Sequence, residues 1–171
     1  MLNINTCTST NSIARAAIDD GRTIDLIVAQ KQTHAYGRNQ DTKWYSPEGA
    51  GIYMSIIVRE PKGCLVTEDW FITERIGHAL KWSLRTLTRL NIEQRGVNDL
   101  FVDNRKVGGV LCEIHKGYLI IGIGINLFRP KRVPAPYNKT AIWLDELLRA
   151  DAISMKYYID SILNEVVRLV T

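Results

Sequence analysis

The sequence predicts an α+β fold in which helices pack on a mixed, largely antiparallel sheet. Three observations carry that prediction. Short runs rich in β-branched residues follow one another through brief turns, which favours neighbouring antiparallel strands. Between them, Ile72, Ile76, Ala79, Leu80, Leu84 and Leu87 recur at three- and four-residue steps, the stripe of an amphipathic helix over about 68–90. A second periodic stretch, Tyr158, Ile159, Ile162, Leu163, Val166, Val167 and Val170, closes the chain.

Taken in order, SIARAAIDDG after Ser9-Thr10-Asn11 reads as a helix that starts at a Thr or Asn cap and stops at Gly21. Ile24–Ala29 follows as a largely buried strand. A polar stretch from Lys31 to Gly51 leads to the strand IYMSIIV and then to the long helix. Leu100–Val102 and Val107–Leu111, separated by the turn-forming pair Asp103-Asn104, read as a hairpin whose return strand opens with Lys106. A turn at His115-Lys116-Gly117 joins it to a strand over Tyr118–Leu127. After the break RPKRVPAP, Leu144–Leu148 and the final periodic stretch read as two closing helices.

Composition narrows the function classes. A chain of 171 residues with 46% hydrophobic content can bury one sizeable core, and its length favours a single domain over 1–171. Lys and Arg total 22 against 18 Asp and Glu, a net charge of +4. Without a dense basic run, that balance suits small anionic ligands or an acidic protein partner better than nucleic acid. The three cysteines, Cys7, Cys64 and Cys112, show no C-x-x-C spacing, which argues for a reducing cytoplasm and against a disulfide framework or a zinc site. The first residues lack a signal pattern, and the most apolar run, GYLIIGIGINLF, is too short to span a bilayer as a helix.

The stretch from Lys31 to Gly51 is the strongest anomaly. So long a connection is seldom structureless in a compact domain unless it binds something or is disordered, and the pair Trp44-Tyr45 argues against disorder. A ligand-gated lid is the expectation.

Six pieces stand in order: Ser9-Thr10-Asn11; Gln32-Thr33 with Gly37-Arg38; Trp44-Tyr45-Ser46-Pro47-x-Gly49; Asn98-Asp99-Leu100; Arg105-Lys106-x-x-Gly109; and Gly122-x-Gly124-Ile125-Asn126. Each is weak alone, since S-T-N is also a plain helix cap and G-x-G too common to mean a dinucleotide site. Together they resemble the catalytic domain of biotin protein ligases over nearly the whole chain. The resemblance implies that biotin is joined to ATP as biotinyl-5′-AMP and then passed to a lysine of a biotin carboxyl carrier protein. It implies the fold of the biotin/lipoate protein ligase catalytic domain, and the cytoplasm as location.

That chemistry brings a carboxylate against an α-phosphate, so it requires fixed cations. By the resemblance, Lys106 stands between the two anions, and Arg38 holds the phosphate of the adenylate with its planar, always-charged fork. Ser9, Thr10, Asn11 and Gln32 supply polar contacts to the ureido ring of biotin. Gly37 belongs to the phosphate loop, Gly109 allows close backbone approach, Trp44 forms a wall over the ligand, and Asn98 sits in the segment matching K-W-P-N-D. Asn126 faces the nucleotide, and Arg95 provides charge near the phosphates. Plain alternatives stand beside these roles: Lys106 as a solvated edge lysine, Thr10 or Asn11 as a helix cap, Trp44 as a half-buried loop aromatic, Asn126 as a strand terminator. Mg²⁺ is expected with the triphosphate, although no acidic cluster fixes its ligands.

The chain also departs from the family pattern. Arg95-Gly96-Val97-Asn98-Asp99 replaces K-W-P-N-D, and HAYGRNQDTKW replaces G-R-G-R-x-G-R-x-W, with Asp41-Thr42 where a second arginine belongs. Room for an N-terminal helix-turn-helix domain or a C-terminal β-barrel domain is not evident, which disfavours DNA binding and weakens cover of the nucleotide. A homodimer is left open. The alternatives are a degenerate biotin or biotinyl-AMP binding module, and a related lipoate or octanoyl transferase that shares the fold.

Overall fold

The computed structural model describes residues 1–37, 43–59, 69–149, 151 and 153–170. Among them, the strands β1 (Leu2–Cys7), β2 (Leu26–Gln32), β3 (Gly51–Arg59), β4 (Glu93–Arg95), β5 (Asp99–Val102), β6 (Arg105–His115) and β7 (Tyr118–Asn126) form one sheet. Their spatial order is β1-β2-β3-β7-β6-β5-β4. The helices are α1 (Thr10–Asp19), α2 (Asp69–Thr88), α3 (Tyr137–Thr140) and α4 (Met155–Val170), with a 3-10 turn at Leu144–Glu146. β1 and β2 run parallel, joined by α1 as such a crossover demands, and the other pairs are antiparallel. The mixed, largely antiparallel α+β fold is borne out.

Period-two alternation sorts the strands onto two faces. Ile121, Ile123 and Ile125 of β7 join Ile72, Ile76, Leu80 and Leu84 of α2 and Tyr158, Ile162 and Val166 of α4 in the larger core. Burying each of those α2 side chains is worth about 1.5–3 kcal/mol. On the opposite face, Ile120 joins Ala14 and Ile18 of α1 with Ile27 and Ile57. α1 covers only part of that face, and the uncovered end carries the site.

The two turns expected around the return strand are present, with Asp103 and Asn104 at φ 48° and 62° and Lys116 and Gly117 at 48° and 78°. Positive φ at both central positions matches the twist of a hairpin, and Asn, Asp and Gly tolerate it best.

Several expectations need correction. β1 was not anticipated, because Leu2 and Ile4 are the apolar members of an otherwise polar edge strand. β2 continues to Gln32, since Thr6 and Cys7 of β1 offer partners to Lys31 and Gln32. In the described part of the connection to β3, isolated bridges pair Gln32 with Ser46 and Tyr36 with Lys43. The N-cap of α1 is Ser9, without a side-chain cap bond, so neither Thr10 nor Asn11 caps the helix. Leu144–Leu148 is not a helix but one 3-10 turn, Leu144–Glu146, with Leu147 as its C-cap. No helix among the described residues is long and apolar enough to cross a membrane.

Candidate active site

One face of β7 lays out the site. After buried Ile120 come Gly122, Gly124 and Asn126, all on the α1 side by alternation. A Cβ at Gly122 would lie 2.5 Å from Asn11 Oδ1, and one at Gly124 would lie 2.7 Å from the Trp44 indole. The two glycines are therefore sockets, one for a side chain of α1 and one for the aromatic residue of the β2–β3 connection. Asn126 donates its Nδ2 to Lys106 O at 3.2 Å and to Ile142 O at 3.1 Å. Ile142 N in turn donates to Lys106 O at 3.0 Å, so the backbone of Lys106 is clamped from two sides.

The Lys106 side chain reaches the site through an irregularity. Residues three apart on a regular strand face opposite ways, yet Lys106 Cε lies 3.6 Å from where a Gly109 Cβ would be. The register between β5 and β6 shifts between Leu100 and Phe101, which pair with Gly108 and Lys106. Val107 is the extra residue of this bulge, and a bulge re-aims the side chains beside it. Lys106 Nζ then pairs with Asp99 Oδ1 at 2.7 Å and lies 5.0 Å from the centroid of Trp44.

Two cavities meet at this lysine. A narrow slot of about 60 Å³ runs between α1 and the sheet, lined by Ser9, Thr10, Asn11, Gln32, Asn98, Asp99 and Gly109 among others. A broader cavity of about 640 Å³ opens on the other side, lined by Tyr45, Phe101, Asn104, Asn126, Tyr137 and Trp143 together with Lys43, Lys106 and Lys139. Gly37, Trp44 and Lys106 border both. The broader cavity carries three lysines and no carboxylate among its described lining residues, which suits a polyanion. Tyr45 and Tyr137 stack with centroids 5.3 Å apart at its edge, and Tyr137 donates to Lys43 O at 2.9 Å.

The slot is polar where Thr10 of α1 meets Gln32 of β2. Gln32 Oε1 accepts from Thr10 N at 2.8 Å and from Thr10 Oγ1 at 3.3 Å, and Gln32 Nε2 donates to Ser46 Oγ at 3.1 Å. A strand side chain thus does the capping that α1 lacks at its own N-cap. Trp44 Nε1 is buried and has no hydrogen-bond partner among the described residues, a donor that calls for an acceptor.

Compared with known proteins, residues 5–127 match the model of the biotin/lipoate A/B protein ligase family. The chain belongs to that family. The bifunctional ligase/repressor BirA of Escherichia coli is 29% identical over 143 residues, covering 81% of this chain and 44% of BirA. A biotin protein ligase from Aquifex aeolicus, solved with biotin and ATP, superposes with a TM-score of 0.78 at 24% identity, covering 98% of this chain and 68% of that one. The ligase from Leishmania major with biotinyl-5-AMP gives 0.76 at 23% identity over 98% and 73% of the two chains. The resemblance drawn from the motifs is borne out, and the chain spans less than half the length of the curated relatives it matches.

Within this ligase-family domain, ten of the twelve residues singled out from the sequence line one or both cavities. Arg95 does not: it pairs with Glu93 at 2.8 Å, donates to Asn104 Oδ1 at 2.6 Å and lies 4.7 Å over Phe101. It touches the broader cavity only through those last two neighbours. Gly96 beside it has φ 58° and open space where a side chain would be, so it serves a turn between β4 and β5. Arg38 lies outside the described residues. Sequence reasoning missed Glu113, Tyr36 and Tyr137, as well as the role of Asp99 as partner of Lys106. Glu113 interrupts the apolar return strand three residues before its turn, and that break in pattern was the available signal.

Proposed function

We propose that this chain activates biotin with ATP and transfers the biotinyl group to a lysine of a biotin carboxyl carrier protein. The position of Lys106 carries the reading: its ammonium stands where a narrow, polar-ended slot meets a lysine-rimmed cavity large enough for a nucleotide. With biotin in the slot, its carboxylate approaches the wall shared by the two cavities. A carboxylate oxygen attacks the α-phosphorus of ATP, the new oxygen–phosphorus bond forms, and the bond to the pyrophosphate oxygen breaks.

Both reactants are anionic, so a cation between them lowers the barrier more than it stabilises either reactant alone. Asp99 holds the Lys106 ammonium in place, and Lys43 and Lys139 offset the charge of the departing pyrophosphate. The Trp44 N–H gains an acceptor from the bound ligand. In the second step a lysine amine of the carrier attacks the acyl carbon, an amide forms and AMP leaves. Among the described residues no group of three His, Cys, Asp or Glu side chains could hold a metal. Magnesium would therefore arrive on the triphosphate rather than in a protein cage. A reducing cytoplasm suits the buried cysteines Cys7 and Cys112.

The test is direct. Purified protein given biotin, ATP and magnesium should release pyrophosphate only when biotin is present, and should then label an isolated carrier domain. Biotin binding without any heat on ATP titration, and without transfer, would establish a binding module instead.

A further inference from the structure

We infer that Glu113 is a positioning residue: it fixes which way round the Asn11 side-chain amide sits, so that Asn11 meets the bound ring as a hydrogen-bond acceptor. This rests on the slot binding biotin.

The two ends of an asparagine amide have nearly the same shape and opposite chemistry, so a buried Asn beside a ligand is informative only if something chooses its orientation. Asn11 is 3% exposed and lies beside the slot on α1. Its Nδ2 is 2.7 Å from Glu113 Oε2 and 3.4 Å from Leu111 O. An ionised carboxylate accepts and cannot donate, so it selects the amide nitrogen over the oxygen. Glu113 is held in that state by Arg15, which pairs with its other oxygen. The same Arg15 nitrogen donates to Tyr36 Oη at 3.1 Å. On the far side, Ser55 Oγ donates to Asn11 Oδ1 at 2.6 Å. Both amide hydrogens of Asn11 thus point at protein acceptors, and what remains for a ligand is one lone pair on Oδ1. Gly122 makes this arrangement sterically allowed, since its Cβ would fall on that oxygen.

A cyclic urea presents one carbonyl flanked by two N–H groups. Oriented as it is, Asn11 reads an N–H and repels the carbonyl. Glu113 is the origin of that preference, although it does not border the slot itself. The isosteric variant Glu113→Gln reverses the logic. Arg15 has only donors, so it takes the Gln oxygen, which turns the Gln nitrogen toward Asn11. The Asn11 amide must then rotate to offer its oxygen to Gln, and it presents an N–H to the ligand.

The full chain is titrated calorimetrically with biotin and with its two cyclic carbamate analogues, in each of which one ureido N–H is replaced by a ring oxygen. The unmutated protein should bind one carbamate about tenfold or more weaker than biotin, the worth of a hydrogen bond exchanged for lone-pair repulsion. Glu113→Gln should bind biotin more weakly and bring that carbamate level with it or ahead of it. Glu113→Ala, which leaves the amide free to turn, should compress the ratio to about threefold or less. A folded variant that retains the original ratio overturns the inference and leaves Glu113 a mere structural link. If the unmutated protein binds biotin and both carbamates equally, Asn11 does not read an N–H and the inference also falls. If it binds none of the three, the functional reading itself fails.

Discussion

At the scale of single residues, the site depends on side chains that are placed by something other than their own position in the chain. Lys106 is the second residue of β6, an interior strand, and the bulge at Val107 and the clamp on its carbonyl set where its side chain goes. Lys106→Ala should leave the melting temperature nearly unchanged while slowing biotin-dependent pyrophosphate release by about 10²–10³-fold, the usual loss for one transition-state donor. Unaltered release would remove Lys106 from the reaction. Gly124 is equally specific. A methyl group there would sit 2.7 Å from the Trp44 ring, so the indole has to move. Gly124→Ala is expected to cost about 1–3 kcal/mol in denaturant unfolding, as overpacking does. In a Trp44→Ala background the same change should cost much less, and equal costs in both backgrounds would show that the glycine serves something other than the indole.

At the scale of elements, the segment after β7 matters more than its irregular appearance suggests. Ala141 bridges to Lys106 and Ile142 N donates to its carbonyl, and the 3-10 turn Leu144–Glu146 anchors that segment through its acidic residues. Glu146 accepts from Trp143 N at 2.9 Å, from Arg129 at 2.9 Å and from Arg105 at 3.4 Å. Burial works to raise its carboxyl, but the Trp143 N–H and the Arg129 guanidinium, helped by Arg105, outweigh burial and hold it below its ordinary 4.5. A carboxyl depressed on folding contributes stability above its unfolded value and loses it as pH falls through the folded one. The Glu146→Gln variant should therefore melt below the unmutated protein near neutrality, and the two melting curves should converge as the pH falls below about 4. A constant gap across that range would show that the ion pairs do not couple to folding.

At the scale of the molecule, α2 and α4 pack on one face of the sheet and α1 on part of the other, where Gly109, Gly122 and Gly124 bring strand backbone to the slot, while α3 borders the broader cavity. The partition into slot and cavity predicts separable affinities. Lys139 borders only the broader cavity among the two, on α3. Lys139→Glu should weaken ATP binding by about tenfold or more through reversal of a nearby charge, with biotin affinity within about twofold of its starting value. Loss of both affinities together would contradict the division. Lys43 and Lys139 bring cations to that cavity from two separate segments, while Asp41-Thr42, where a second arginine was expected, lies outside the described residues.

The sequence by itself determined the fold class, the long helix, the hairpin at Asp103-Asn104 and the family, because periodicity, turn chemistry and motif order are local properties of the chain. Ten of the twelve residues it singled out also line the two cavities. What only the tertiary structure decided is how those residues act on one another. That Gly122 and Gly124 receive Asn11 and Trp44, that a bulge turns Lys106 toward Gly109, that Gln32 caps α1, and that Glu113 orients Asn11 are all contacts between segments far apart in sequence. Side chains at such distances carry no periodic signal of each other, since their meeting is set by strand order and register and not by spacing along the chain.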